Sequence, residues 1–399
     1  MFMNAVKCFT TVIFSLFLIS SVNGQTQQRY FIPTHYHGIF SDQSTSVRAQ
    51  SLGNSVITLD GVGQFIYNPA SIGPGTEKAD VHLNYMNQHP FEGPSHYPYL
   101  GVSYRITPKL SAAASYFSWI STSDSWFSVV GGSDFERDGF RSQELATVGV
   151  SYRAIEGLHV GLTGNFLRGK AVRGVVTNSD FLVTLGGIYD MPVELIRTEW
   201  ATRQKIRFAG SFINLLLNNK TEQTLEDRTS NRELPIHARA GGSYSLSIPL
   251  NVNLGEGTAY FRDTRSDVDL GLHLHIKRAL DGPDPVLNSL DNGYGFGIET
   301  IFRERVSLQM GYFSEKRADE SESSPNVVFG TSSKKSGFTW GLGTTVPVDN
   351  IFEHEIPFTV DIYLTFNKMM NELDNRRRHP AAFSDDKRQF GLGINLKWN

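Results

Sequence analysis

Residues 389–399 read QFGLGINLKWN, and they alternate without a break: Phe390, Leu392, Ile394, Leu396 and Trp398 on one side, Gly391, Gly393, Asn395 and Lys397 on the other. A period of two is the spacing of an extended strand, whose successive side chains point to opposite faces. Residues 355–368, EIPFTVDIYLTFNK, repeat the pattern over a longer span, with Ile356, Phe358, Val360, Ile362, Leu364 and Phe366 opposite Thr359, Asp361, Tyr363, Thr365 and Asn367. One face is apolar and the other polar. Strands of soluble sandwiches also alternate but usually run about 5–6 residues, whereas a tilted strand that crosses a bilayer needs about 9–11. These stretches have the membrane length.

Twelve further segments resemble them: KADVHLNY, YLGVSYRI, LSAAASYFSWI, ATVGVSYRAI, LHVGLTGNFL, FLVTLGGIYDM, KIRFAGSFINL, IHARAGGSYSLSI, VDLGLHLHI, YGFGIETIF, VSLQMGYFSE and SGFTWGLGTTV. The total is about 14. Their connections alternate too. TPK, AIEG and RER are tight, while residues 121–144, 217–235, 315–335 and 369–387 are long and polar. Bacterial outer-membrane barrels have this asymmetry, with short periplasmic turns and long outer loops. In lipid every backbone polar group must be paired within the protein, so such strands persist only in a closed barrel. The fold expected is all-β, a transmembrane antiparallel β-barrel of about 14 strands. Residues 191–204, MPVELIRTEWATRQ, and residues 248–266 interrupt the alternation of turn lengths.

Composition narrows the function classes. Aromatic residues make up 12% of the chain and glycine contributes 37 residues, which suits closely packed strands. Residues 1–24 have the layout of a cleaved secretory signal: Lys7, an apolar core from Phe9 to Ile19, then small residues. Its apolar run is short for a membrane anchor, the other reading. Cys8 would leave with it, and no other cysteine is present, so thiol catalysis, disulfides and cysteine-zinc sites are excluded from the mature chain. A net charge of −3 with one short basic run, NRRRHP, argues against nucleic acid. His35, His37, His82, His89, His96, His273 and His275 form no recognisable metal constellation, and no GxSxG, HExxH or phosphate-loop motif occurs. Neither an enzyme nor a cofactor is expected.

A 14-stranded lumen is wide enough to leak unless something fills it. Residues 25–77 are the long segment without strand character. Within them GQFIYNPASIG, residues 63–73, carries a short apolar run that Asn68-Pro69 breaks, because proline fixes φ and lacks an N–H. We read residues 25–77 as a hatch docked in the lumen, the alternative being a periplasmic tail, and residues 78–399 as the barrel. Asn68 would pin the hatch to the inner wall, Pro69 would set the turn and Ala70 would allow close backbone approach. The small run Ser111, Ala112, Ala113 and Ala114 marks a candidate lateral opening beside the third strand.

The stretch VRAQSLGNSVITLDGVGQFIYNPASIG also resembles the N-terminal signature of the FadL-like outer-membrane superfamily, and more closely its PorV/PorQ-type branch. Arg48-Ala49, Leu52-Gly53, Asp60 and Asn68-Pro69-Ala70 occupy the signature positions, while Asn54 replaces the usual second glycine and Val47 the small residue before arginine. RAGGSYSL and YGFGIETIFRERVSLQMGYF are similar to that branch as well. The resemblance implies a fourteen-stranded barrel with an N-terminal hatch in the outer membrane of a Gram-negative-type bacterium. It implies a non-enzymatic role in type IX secretion-type protein export or cargo handling, with secretion components or exported cargo as partners. The alternative implied by the wider superfamily is a channel for diffusion of hydrophobic small molecules such as fatty acids, for which SWFSVV (Ser125 to Val130) would suit an outer loop.

Overall fold

The computed structural model describes residues 44–75, 77–88, 95–122, 140–170, 176–196, 200–215, 220–225, 228–233, 236–250, 267–280, 292–316, 334–348, 358–372 and 386–398. The expected signal, residues 25–43 of the expected hatch, His35, His37, His89 and the SWFSVV stretch lie outside the described residues.

Fourteen antiparallel strands close on themselves. Seven come first: β1 (Ala79–Gln88), β2 (Ser95–Thr107), β3 (Leu110–Thr122), β4 (Phe140–Ile155), β5 (Leu158–Lys170), β6 (Val176–Pro192) and β7 (Thr202–Leu215). A separate hairpin of β8 (Lys220–Leu225) and β9 (Arg228–Glu233) follows. The barrel then resumes with β10 (His237–Pro249), β11 (Asp267–Ala279), β12 (Asn292–Phe302), β13 (Val306–Lys316), β14 (Lys334–Pro347), β15 (Phe358–Glu372) and β16 (Asp386–Trp398). Each strand pairs with its chain neighbour, and β1 also pairs with β16, so the sheet has no edge. Every segment expected to be a strand forms one. The hairpin β8–β9 departs from the expectation of a loop at 217–235.

The alternation is the physical reason for this geometry. Leu272, Leu274 and Ile276 on β11 are exposed, whereas His273, His275 and Lys277 between them are buried. The outward face is thus the apolar one, as a bilayer requires. Tyr294, Phe296, Phe338, Trp340 and Phe390 extend that face with aromatic rings. Tight turns close one end of the barrel. At Pro108-Lys109, Thr107 Oγ1 accepts the N–H groups of Lys109 (3.2 Å) and Leu110 (3.0 Å). At Arg303-Glu304 both residues take positive φ, 48° and 59°. Among the described residues of MPVELIRTEWATRQ, whose length looked anomalous, Gln204 Oε1 accepts the Ile196 N–H at 2.9 Å, Gln204 Nε2 donates to the Ile196 carbonyl at 2.6 Å, and the Gln204 carbonyl accepts the Val193 N–H at 3.0 Å.

The lumen is occupied by residues 44–75. They form a short helix α1 (Val47–Ser51) and three 3-10 turns, Val56–Thr58, Val62–Gln64 and Pro69–Ile72. Helix α1 packs on β13 to β16 and β1, and Leu52 lies against Gly297 of β12. Val56–Thr58 meets β7, β10 and β11, Val62–Gln64 meets β1 and β2, and Pro69–Ile72 meets β3 to β6. Strands all around the ring thus touch the segment. Phe65, Ile66 and Tyr67, the apolar run before Asn68, are fully buried, which removes their surface from water and offsets the cost of ordering the segment. Inward glycines of the wall make the fit possible: a Cβ at Gly297 would lie 2.7 Å from Leu52 Cα, and one at Gly161 would lie 2.6 Å from the Ala70 nitrogen.

Candidate functional site

Two partly buried arginine clusters tie the inner segment to the wall. Ser46 caps α1, its Oγ accepting the Ala49 N–H at 3.3 Å, and the helix projects Arg48 at β12. Arg48 Nε and Nη2 donate to Glu299 Oε1 and Oε2 at 2.8 and 2.5 Å, a two-pronged pair of the kind guanidinium geometry favours. Gln309 Nε2 adds a third donor to Glu299 Oε1 at 3.2 Å, while Ser51 Oγ donates to Gln309 Oε1 at 3.1 Å. Burial alone would lower the Arg48 pKa, but the adjacent Glu299 carboxylate more than reverses this and keeps the guanidinium charged. In the second cluster Arg207 of β7 donates to Asp190 of β6 at 2.6 and 2.7 Å and, through Nη1, to Asp60 at 2.5 Å and the Thr58 carbonyl at 3.0 Å. Asp60 thus faces the arginine of a strand pair already neutralised by Asp190.

The remaining signature residues serve backbone geometry. Gly53 follows α1 with φ +66°, a conformation that costs an L side chain about 1–2 kcal/mol, and its N–H donates to Thr339 Oγ1 at 3.1 Å. Asn68 caps the turn Pro69–Ile72: its Oδ1 accepts the Ala70 N–H at 3.1 Å, and its Nδ2 donates to the carbonyls of Ile57 (3.2 Å) and Gly187 (3.4 Å). One of those carbonyls belongs to the inner segment and the other to β6. Pro69 holds the first position of the turn, where its missing N–H is harmless. The Ala70 carbonyl accepts from Ser151 Oγ at 3.4 Å.

Ser111, Ala112, Ala113 and Ala114 pair on one flank with Arg105 to Val102 and on the other with Ser151 to Val148. The wall is continuous there. Ser111 and Ala113 point inward, and Ala113 packs with Val62, Phe65 and Ile72. Small side chains at these positions make room for the inner segment. Farther along, β2 and β3 keep one register from His96–Ile120 to Tyr99–Phe117, with the Tyr97 ring stacked on Phe117 at 6.4 Å, while Pro98 is paired with Tyr85 of β1. Proline has no N–H to give β3. An open depression of about 350 Å³ lies here on the outward face, lined by the exposed side chains of Leu83, Tyr85, Leu100, Tyr116 and Leu392 with Pro98, Ile394, Asn84 and Tyr99.

The lumen toward the long-loop end has two chemical halves. Tyr97, Phe117, Trp119, Leu145, Leu167 and Leu182 form a buried apolar arc on β2 to β6. Across from it, β10, β11 and β13 carry His237, Arg239, Lys277 and Glu315, with the Arg239 guanidinium 4.9 Å above the Tyr67 ring and Lys277 Nζ 3.8 Å from Glu315. The histidines that invited a metal reading serve as contacts. His273 Nδ1 lies 3.1 Å from Thr58 Oγ1 and His275 Nδ1 3.5 Å from Ser55 Oγ. Among the described residues no three His, Cys, Asp or Glu side chains are grouped to hold a metal ion.

Sequence reasoning named one side of each anchor and missed Glu299, Gln309, Asp190 and Arg207. A readable signal was present: Glu299 and Arg207 are charges at inward positions of membrane-length strands, where a charge must be paired.

No family model matches the sequence, and no curated protein matches it. Among solved structures the chain is similar to the toluene transporter TodX of Pseudomonas putida, at 11% identity and a TM-score of 0.46 over 92% of this chain and 99% of that one. It is similar to a FadL homologue of Pseudomonas aeruginosa at 10% identity and a TM-score of 0.48, over 91% and 98%. CymD, a monoaromatic hydrocarbon channel, gives 11% and 0.46 over 89% and 97%. At these values the likeness is one of overall shape.

Proposed function

We propose that the protein is a non-enzymatic channel of a Gram-negative-type outer membrane through which small hydrophobic molecules pass, with residues 25–77 as its hatch. The observation that supports this best is the apolar depression on the outward face at Pro98. An apolar solute that enters a barrel gains little by leaving through water and is better released sideways into lipid. A proline in β2 that can give β3 no N–H, beside an outward-facing depression lined mainly by apolar and aromatic side chains, suits such an exit. A volume of about 350 Å³ lies at the small end of ligand sites, which favours compact solutes. The apolar arc of the lumen offers them a route to it.

The test is transport of 4-bromotoluene into vesicles containing the purified full-length protein. Leu100→Trp, which fills the depression from the lipid side, should reduce entry to the level of empty vesicles while leaving the barrel folded. Entry at the parent rate through Leu100→Trp would remove this reading.

The N-terminal resemblance to PorV/PorQ-type proteins favours a second role, handling of exported cargo at the cell surface. Cross-linking in native membranes tests it: covalent capture of secretion-system components by the parent protein supports export, and recovery of the protein alone opposes it.

A further inference from the structure

We infer that His237 and Ser211 form a polar end to the apolar arc of the lumen and select, among apolar solutes, those that carry one uncharged hydroxyl group. The inference rests on the channel reading above and names the class of solute that such a channel would favour.

Strand β10 turns His237, Arg239 and Gly241 into the lumen in steps of two. Gly241 lies against Ile57 of the inner segment, and the Arg239 guanidinium covers the Tyr67 ring at 4.9 Å. His237 is therefore the step beyond the hatch, toward the long-loop end. Its direct partner on β7 is Ile213, while Ser211, one step nearer the hatch, stands opposite Arg239. Ile213 belongs to the same buried apolar cluster as Leu145, Leu167 and Leu182. The arc thus ends at Ile213, and His237 and Ser211 flank that end.

Both side chains lack partners. His237 keeps 1% of its surface and Ser211 4%, yet among the described residues neither ring nitrogen of His237, nor the Ser211 hydroxyl, has a hydrogen-bond partner. Burying polar groups in this way is costly unless something arrives to pair with them. The cations beside them are already faced, Lys277 by Glu315 at 3.8 Å and Arg239 by the Tyr67 ring, which leaves the uncharged pair to the solute. A hydroxyl both gives and accepts a hydrogen bond, so it suits a ring nitrogen of either kind and a serine oxygen. A hydrocarbon offers them nothing, and a carboxylate would bring a charge that must first be stripped of water. An aromatic alcohol meets both demands, with its ring against Ile213 and Leu182 and its hydroxyl at His237.

The experiment measures entry of 4-bromophenol and 4-bromotoluene into vesicles containing the full-length parent, His237→Phe or Ser211→Ala, with entry into empty vesicles subtracted. Comparing the ratio of the two rates between variant and parent cancels the different solubility of the probes in lipid. His237→Phe should lower the phenol-to-toluene ratio about tenfold, the size of one buried hydrogen bond. Ser211→Ala should lower it severalfold, and 4-bromotoluene entry should be unchanged in both. Bromine anomalous diffraction from the parent should place the halogen of 4-bromophenol beside Ile213 and Leu182, and bromine found only outside the lumen would overturn the inference. A parent-like ratio in both variants would overturn it too and leave the channel reading standing. Equal loss of both probes would do the same, since it marks a structural role. Entry of neither probe into parent vesicles defeats both readings.

Discussion

Removing one partner of the Arg48–Glu299 pair should loosen the inner segment far more than removing both. Glu299 retains only 4% of its side-chain surface and Arg48 26%, and the two are joined by bonds of 2.8 and 2.5 Å. Arg48→Met leaves the Glu299 carboxylate buried with Gln309 at 3.2 Å and His273 at 4.0 Å as its nearest polar company. Breaking a buried pair in this way costs about 3–5 kcal/mol, and the partial exposure of Arg48 points to the lower end. The double variant Arg48→Met, Glu299→Gln has no stranded charge and should sit within about 1 kcal/mol of the parent, because desolvating an ion pair offsets most of what the pair returns. The barrel ladder does not pass through either side chain, so the readout must be local. Amide exchange of residues 47–53 in the full-length protein should accelerate by about a hundredfold or more in Arg48→Met, at roughly 1.4 kcal/mol per factor of ten. It should return to within about tenfold of the parent in the double variant. Equal acceleration in the single and double variants would refute the reasoning, since the effect would then come from lost packing and not from an unpaired charge.

Three further outcomes follow from the same geometry. Asn68→Leu removes the cap on Ala70 and the donors to Ile57 and Gly187, so exchange of residues 68–73 should rise by an amount corresponding to about 1–3 kcal/mol, with the barrel melting temperature in detergent unchanged. Leu274→Arg, on the lipid face near the middle of β11, should cost ~2–4 kcal/mol in folding into lipid vesicles, whereas Ile106→Arg beside the tight turn should cost about 0–1; equal penalties would show that the assigned depth is wrong. Deleting residues 25–77 should leave a strand-rich barrel that conducts ions in planar bilayers, while the parent conducts poorly. Equal conductance would show that this segment does not close the lumen.

The barrel itself was legible because a membrane strand leaves its register in the sequence. Leu272, Leu274 and Ile276 must face lipid and His273, His275 and Lys277 must not, and a period of two expresses that choice residue by residue. The tight turns were legible for a similar reason, since Pro108 and Gly157 are local punctuation. Hairpin β8–β9 left no such trace: KTEQTL and RTSNRE are polar except for Leu225, so no face is marked. The inner segment was half legible. Asn68-Pro69 announced a turn, because its side-chain cap bonds only two residues away. What that turn leans on is decided at long range: Gly187 lies 119 residues from Asn68, and Glu299 lies 251 from Arg48. Alternation tells which side of the wall a residue faces and says nothing about what meets it there. The small run at Ser111 to Ala114 makes the same point. Small residues permit either a bend in the wall or a neighbour packed closely against it, and only the arrival of Phe65 and Ile72 in the lumen selects the second. Pro98 shows the reverse case. A proline reads as the boundary of a strand, yet β2 runs through it, because β1 continues to pair on one flank while the bond to β3 is given up.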